Sequence, residues 1–263
     1  MGRVRPAFER EQIADLLALG LDWDGAPVRQ SERHPLYAEA LARLEAEGRL
    51  YPCYCTRAEI RQAASAPHGP GPEGAYPGTC RDLGPAEWAR RAATGRPPAL
   101  RLRAETRTIE WVDRLLGPQR GEVDDLVMRR GDGVPAYNLA VVVDDADQGV
   151  TEVVRGADLV HTTPRQIAVA HALGLGPPAS YAHVPLVLGP DGTRLAKRHG
   201  AVTMGDRAAL GESPARVLAA LAASVGLAGP GETITPAELL ERFDPAELPR
   251  EPTRWTGPTS ATA

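Results

Sequence analysis

The sequence predicts an α/β fold, and two features of its apolar pattern indicate it. Apolar residues recur at helical spacing near the start of the chain, whereas short strand-like runs follow from about residue 100. Between residues 136 and 174 the predicted order is strand, strand, helix. This order is typical of the second half of a doubly wound sheet, in which helices cover both faces of mostly parallel strands.

The first elements are predicted to be helices. An apolar face ends at Gly20, and a second helix has Pro35 near its start and Gly48 past its end, where these residues commonly stand. The string Thr56-Arg-Ala-Glu59 is a capping box that begins a third helix. A chain of the α/β class that begins with helices and no strand is unusual.

The remaining elements alternate between strands and helices. The run Leu139-Ala-Val-Val-Val143 is continuously apolar, as expected of a strand covered on both faces. The predicted strands are 100–103, 108–112, 126–130, 136–143, 150–154 and 183–188. The predicted later helices are 85–94, 163–173, 213–226 and 235–243.

Composition places the chain among globular proteins. Its 263 residues are 43% hydrophobic and 24% charged, with a formal net charge of −4, which is ordinary for one or two folded domains. It has no run of 18 apolar residues and no apolar core at its charged start, so we expect a cytoplasmic protein without a membrane segment. The acidic balance does not indicate an RNA partner, although phosphate contacts need only a local basic face.

The three cysteines of the chain surround a loop rich in glycine and proline. Thiolates bind zinc well, and the Cys53-Tyr-Cys55 turn can direct two sulfurs at one ion while Cys80 returns a third. The fourth ligand is then Tyr76, His68 or water. The alternative is three small buried apolar side chains. The sequence favours a structural zinc site, because this loop has too few apolar residues to fold alone.

Arg155 follows a predicted strand and is a candidate for binding an anion. Ligands of open α/β sheets bind outside the carboxyl ends of the strands, and an arginine there can hold a carboxylate or phosphate with two parallel hydrogen bonds. The alternative is an ion pair with Asp158 or with the Asp144-Asp145 run. The same acidic run could also bind magnesium. The alternative, which the sequence favours, is an acidic loop that keeps a turn solvated.

Lys197 is the single lysine among 30 basic residues. It lies in the loop Arg194-Leu-Ala-Lys-Arg198, which follows a glycine-rich turn. A compact ammonium has uses that a planar guanidinium lacks, and such a loop can clamp a polyphosphate. The alternative is an exposed basic loop without a ligand.

Several strings in the sequence resemble one family, in the same order along the chain. They are Leu19–Gly25, Tyr51–Thr56, Ala136–Asp145, Val154–Leu159 and Thr163–Gln166. These strings are similar to those of class I glutamyl-tRNA synthetases, and most of all to their shorter relatives, the glutamyl-queuosine tRNA(Asp) synthetases. The similarity extends over nearly the whole chain.

The resemblance implies an activity and a set of site residues. The family activates glutamate with ATP, which brings magnesium, and these relatives transfer the glutamate to queuosine in the anticodon of tRNA(Asp). The resemblance implies that Tyr137 and Arg155 bind glutamate and that Lys197 is the catalytic, ATP-contacting lysine of a KMSKS-type loop, in which Ala196 replaces the serine. The implied zinc ligands are Cys53, Cys55, Tyr76 and Cys80.

The resemblance also implies a class I Rossmann-like catalytic domain in four segments. Residues 1–50 would be the remainder of the first Rossmann half, and 51–134 a zinc-binding and connective insertion. Residues 135–190 would form the second half, and 191–263 the KMSKS-type loop with C-terminal helices. We expect a monomer.

The start of the sequence gives a further expectation. The family pattern begins with a strand, a His-Ile-Gly-His-type ATP motif and a helix, whereas this sequence joins the pattern at about Val4. We therefore expect the first βα unit to be missing and the activity of the chain as written to be compromised. The alternatives are an inactive zinc-binding remnant and a fragment of a glutamyl-tRNA synthetase.

Overall fold

The computed structural model describes residues 6–64, 75–195, 203–229 and 231–255. The helices are α1 Pro6–Ala18, α2 His34–Ala46, α3 Arg57–Ala64, α4 Pro85–Ala92, α5 Tyr137–Asp147, α6 Thr163–Ala172, α7 Met204–Ala209, α8 Pro214–Ser224 and α9 Pro236–Arg242. The strands are β1 Leu50–Cys53, β2 Ala99–Leu102, β3 Thr108–Asp113, β4 Gly117–Glu122, β5 Val127–Arg129, β6 Glu152–Gly156, β7 Ser180–Val184, β8 Val187–Leu188 and β9 Thr253–Arg254. Across the described ranges, we find no helix with the length and apolar character needed to cross a membrane.

The chain forms two compact units. One unit comprises residues Val28–His183, and the other comprises Met1–Pro27 with Val184–Ala263. In the second unit, β8 and β9 pair in parallel, and α8 and α9 begin with side-chain caps at Ser213 and Thr235. These two helices confirm the capped helices predicted from the sequence.

The unit Val28–His183 contains two sheets. In the three-stranded sheet, of order β1-β2-β5, both pairs are antiparallel. In the four-stranded sheet, of order β4-β3-β7-β6, β3 pairs with β4 antiparallel and with β7 in parallel. A mixed sheet with helices between its strands is an α/β architecture, as predicted. The main apolar core joins residues of α2, α5 and α6 with strands β2 and β5.

The predicted strand 136–143 is wrong, because these residues belong to helix α5. Leu139, Val142 and Val143 of this helix are buried in the main core. A continuous apolar run does not show whether its residues form a buried strand or a buried helix, and β-branched residues favour the strand only weakly. Here packing against α2 and α6 overrides that preference. The order after residue 136 is therefore helix, strand, helix, strand.

Three strands, β1, β4 and the two-residue β9, were not predicted. β1 and β4 both contain proline, and β4 also contains two glycines, so their local preference for a strand is low. Pairing with a neighbour defines them instead, and β4 aligns with β3 from Thr108 opposite Glu122 to Asp113 opposite Gly117. A Cβ atom at Gly121 would lie 2.6 Å from Pro164 Cγ, so the glycine permits the close approach of β4 to α6.

Candidate functional site

Three cysteine sulfurs converge beyond the end of β1. Cys53 is the last residue of that strand, Cys55 follows before α3, and Cys80 lies in a turn. Their Sγ atoms all lie within 4.8 Å of one another, with 3.5 Å between Cys55 and Cys80. The structure therefore brings together all three cysteines singled out in the sequence.

The Tyr76 hydroxyl is a fourth group at the same point. Its oxygen lies 3.4 Å from Cys53 Sγ and 4.0 Å from Cys55 Sγ, and it accepts the Cys80 backbone N–H at 2.8 Å. A tetrahedral zinc ion with ordinary bond lengths separates two sulfurs by about 3.8 Å and a sulfur from an oxygen by about 3.5 Å. The spacing of these four residues, which we call the thiol cluster (Cys53, Cys55, Tyr76 and Cys80), therefore fits a single zinc ion. His68, the other protein ligand considered, lies outside the described residues.

Hydrogen bonding concentrates negative charge on one sulfur of the thiol cluster. Hydrogen bonding to Cys55 and Tyr76 lowers the pKa of Cys53 to about 4, although burial opposes its ionisation. The contact with Cys53 and burial raise the pKa of Cys55, and burial together with the contact with Cys53 raises the pKa of Tyr76. The Arg101 guanidinium lies 3.6 Å from the centre of the Tyr76 ring and adds positive charge. A divalent cation bound here would displace the remaining protons, as metals do from coordinating thiols.

Asp125 holds the two sides of the thiol cluster together. Its buried carboxylate accepts a hydrogen bond from the Tyr51 hydroxyl at 2.6 Å and pairs with Arg81. Tyr51 lies on the same strand as Cys53, and Arg81 directly follows Cys80. This role of Asp125 could not be predicted from the sequence, because Asp125 is far from both partners along the chain.

Arg155 lies on β6 and donates a hydrogen bond from each of its three nitrogens. Nε donates to His183 Nε2 at 3.1 Å, Nη1 to Gln166 Oε1 at 2.7 Å, and Nη2 to Thr163 Oγ1 at 2.8 Å. None of these acceptors carries a negative charge, so they orient the guanidinium without neutralising it. We call these residues, together with the aspartate that contacts His183, the Arg155 network (Asp113, Arg155, Thr163, Gln166 and His183).

The proposed ion pair between Arg155 and the Asp144-Asp145 run does not form in the structure. Asp144 instead accepts hydrogen bonds from Arg33 at 2.6 Å and from the Tyr37 hydroxyl at 2.8 Å. The run lies on helix α5 and not in a turn, and Arg33 also binds Asp147. Asp145 interacts with Arg155 through longer-range electrostatics and not through an ion pair. Burial raises the pKa of Asp145, and the positive charge of Arg155 opposes this rise.

Tyr137 is the first residue of helix α5, and 53% of its surface is exposed. The next residue, Asn138, accepts a hydrogen bond from Gln166 Nε2 at 3.3 Å. Since Gln166 also accepts from Arg155, the start of α5 is connected to the Arg155 network. Tyr137 and Arg155 are therefore connected in the structure, although residues 136–143 do not form the predicted strand.

Lys197 lies outside the described residues, as does most of the loop around it. The described part begins this loop, where Leu195 N–H donates to the Val187 carbonyl at 2.9 Å and Arg194 bridges to Leu188. These contacts attach the start of the predicted loop to strand β8.

Residues 1–251 match the family described as tRNA synthetases class I (E and Q), catalytic domain. A solved structure of a glutamate tRNA ligase from Elizabethkingia meningosepticum superposes with a TM-score of 0.75 at 22% identity. It matches 98% of this chain and 59% of its own chain, and at this identity it shows the fold alone. The fold and the family match define a class I tRNA synthetase catalytic domain, which confirms the predicted fold class.

Relatives with higher identity refine this assignment. The chain is 61% identical over 252 residues to the glutamyl-Q tRNA(Asp) synthetase of Nocardia farcinica, with 96% of this chain and 79% of that protein covered. It is 52% identical over 271 residues to the protein of the same name from Symbiobacterium thermophilum, with 98% and 84% covered. The chain belongs to the glutamyl-Q tRNA(Asp) synthetases, as its sequence strings predict.

Proposed function

We propose that this protein activates glutamate with ATP and transfers it to queuosine in the anticodon of tRNA(Asp). The observation that carries the proposal is the guanidinium of Arg155, which three uncharged acceptors orient and none neutralises. A guanidinium fixed in this way, with no carboxylate among its hydrogen-bond partners, can bind a carboxylate ligand through its remaining N–H groups. The names of the two relatives cited above support glutamate as that ligand and queuosine-bearing tRNA(Asp) as the acceptor.

In this proposal, Arg155 and Tyr137 bind glutamate. Arg155 holds a carboxylate, and the half-exposed Tyr137 lies next to the Asn138–Gln166 contact and presents its hydroxyl to the amino acid. Lys197 contacts ATP and stabilises the charge that develops on the phosphates during transfer, which is the usual task of a cation at such a site. Magnesium enters with the ATP.

Cys53, Cys55, Tyr76 and Cys80 hold zinc in this proposal, and its role is structural. A structural zinc ion supplies folding free energy to a segment that has a small apolar core. In the neighbouring apolar cluster only Tyr51 and Tyr76 are large and buried, whereas Ile60, Leu83 and Trp88 are partly buried, so a metal is a suitable organiser of this region.

Glutamate transfer to three RNAs tests the proposal. With the product of the complete reading frame, we expect radiolabelled glutamate to be transferred to tRNA(Asp) that contains queuosine. We expect no transfer to tRNA(Asp) made in cells that lack queuosine, nor to tRNA(Glu). Charging of tRNA(Glu) alone would identify a glutamyl-tRNA synthetase and contradict the proposal.

Three expectations from the sequence stay predictions. Pyrophosphate exchange by the 263-residue chain, compared with that of the complete reading frame, tests whether the chain as written is compromised. Analytical ultracentrifugation tests the expected monomer, and cell fractionation tests the expected cytoplasmic location.

A further inference from the structure

Asp113 and His183 form a buried polar pair behind Arg155 to which the proposed function gives no task. Both residues are 1% exposed, and His183 Nδ1 lies 2.5 Å from Asp113 Oδ2. Burying two polar side chains is unfavourable unless their hydrogen bonds are satisfied. The pair contributes little apolar packing, so the residues that it contacts suggest its task.

We propose that Asp113 and His183 are positioning residues that fix the Arg155 guanidinium for the carboxylate of glutamate. This inference rests on the proposed function, in which Arg155 binds glutamate. Asp113 selects one tautomer of the His183 imidazole, and that tautomer presents a lone pair to the Nε–H of Arg155.

Asp113 is itself held by backbone groups. Its Oδ1 accepts the N–H groups of Leu115 and Leu116 at 3.0 Å each and that of His183 at 3.3 Å. Burial opposes ionisation, but these bonds and the one from the imidazole keep the pKa of Asp113 below its ordinary value. The side chain therefore faces His183 as a carboxylate, which only accepts hydrogen bonds.

The carboxylate determines where the imidazole proton lies. Because Asp113 Oδ2 accepts, His183 Nδ1 carries the proton and Nε2 keeps its lone pair. Arg155 Nε donates to this lone pair at 3.1 Å, and the Thr163 hydroxyl lies 3.2 Å from the same nitrogen. The opposite tautomer would place two N–H groups against each other between His183 and Arg155.

The result is a guanidinium held on three sides. His183, Gln166 and Thr163 accept one N–H bond each. An arginine has five N–H bonds, so within the described residues two remain to bind a ligand. Fixing the plane of the guanidinium before glutamate arrives reduces the entropy lost when the two bind.

The isosteric substitution Asp113→Asn tests the inference. The Leu115 and Leu116 N–H groups keep the amide oxygen at the Oδ1 position, so the amide NH₂ faces His183 Nδ1. His183 Nδ1 must then accept a hydrogen bond from this amide. The imidazole proton therefore moves to Nε2, where it faces the Nε–H of Arg155. We expect the KM for glutamate in pyrophosphate exchange to rise roughly tenfold or more, while kcat and the KM for ATP stay within about twofold.

Two substitutions at His183 separate a positioning role from simple support of the fold. The amide of Asn reaches the Nδ1 position and still donates to Asp113, but it leaves Arg155 Nε without an acceptor. The amide of Gln reaches the Nε2 position and restores that acceptor. We expect His183→Asn to raise the KM for glutamate as Asp113→Asn does, and His183→Gln to stay closer to the unmodified protein. Asp132→Asn, at an exposed turn, is the matched control and should change nothing.

The tautomer can also be read directly in the unmodified protein. With ¹⁵N-labelled histidine, we expect the ring shifts of His183, assigned by their loss in His183→Gln, to show a protonated Nδ1 and an unprotonated Nε2. A protonated Nε2 would overturn the inference, and this result decides the question even where Asp113→Asn fails to fold. An unchanged KM for glutamate in folded Asp113→Asn would also overturn it. The exchange assays use the product of the complete reading frame, and no glutamate-dependent exchange by that unmodified protein would instead contradict the proposed function itself.

Discussion

The thiol cluster and the Arg155 network both gather polar side chains at one point, but the two sets of side chains differ in how well they satisfy one another. In the thiol cluster, three sulfurs and a phenol oxygen face a common point, and their shortest contacts are with one another. In the Arg155 network, each polar group faces a complementary one, from Asp113 through His183 to Arg155. In our proposal one region therefore needs a cation to be complete, whereas the other is complete and leaves N–H groups of Arg155 to bind a ligand.

The two regions therefore depend on different interactions for their order. Three thiols and a phenol make only weak hydrogen bonds with one another, so in our proposal order in the thiol cluster is coupled to metal binding. Hydrogen-bonded groups hold one another, so the Arg155 network is preorganised by the fold alone.

Cys80→Ser removes a fully buried ligand of the thiol cluster and should have the largest effect. We expect zinc, measured by mass spectrometry of the purified protein, to fall from about one ion per chain to nearly none, because three ligands cannot hold a structural zinc tightly. Asp82→Asn, an exposed change two residues away, should keep the zinc. Full zinc content in Cys80→Ser would refute the cluster as a metal site.

Arg155→Lys keeps the charge of the Arg155 network but removes its planar fork. A lysine ammonium cannot make three hydrogen bonds in one plane and also hold a carboxylate with two. We expect kcat/KM for glutamate in pyrophosphate exchange to fall roughly a hundredfold, with zinc content unchanged. Near-normal kcat/KM would remove Arg155 from the glutamate site.

The thiol cluster and the Arg155 network also differ in how much of each could be predicted from the sequence. Cys53 and Cys55 are neighbours in the chain and Cys80 follows shortly, so their shared site was visible without a fold. Arg155 could be predicted as a candidate because it directly follows the strand predicted over residues 150–154, although in the structure it lies on β6. Its partners were not, because Asp113 and His183 meet only through the pairing of β3 with β7. The predicted strand at 136–143 failed for a related reason, since tertiary packing and not local pattern decides such a run.

Tyr76→Phe tests the fourth member of the thiol cluster and should have a smaller effect. The three thiolates remain, so we expect zinc to stay bound with an affinity lowered roughly tenfold, as measured by competition with a chromogenic chelator. Tyr37→Phe is the matched control, because its hydroxyl binds Asp144, outside the thiol cluster. Equal effects of the two substitutions would show that Tyr76 is not a ligand.

Tyr37→Phe, outside both regions, should have the smallest effect. The Tyr37 hydroxyl donates to the buried Asp144, and its loss should lower the free energy of unfolding in urea by about 1 kcal/mol. Burial and the contact with Asp144 raise the pKa of Tyr37 to about 12. A raised pKa in the folded state means that this contribution is complete below pH 10 and is lost only as the pH rises through about 12. Tyr137→Phe, at a half-exposed hydroxyl, should leave the unfolding free energy unchanged, and an equal loss in both variants would contradict the assignment.

Hydrogen exchange before and after metal removal tests the contrast most directly. We expect a chelator to speed deuterium uptake in peptides covering residues 50–56 and 75–83, which carry the thiol cluster. Peptides covering 108–113 and 180–184, which carry Asp113 and His183, should exchange as before. Exchange that is unchanged in both regions, or faster in both, would contradict the account of one metal-dependent region and one preorganised by hydrogen bonds.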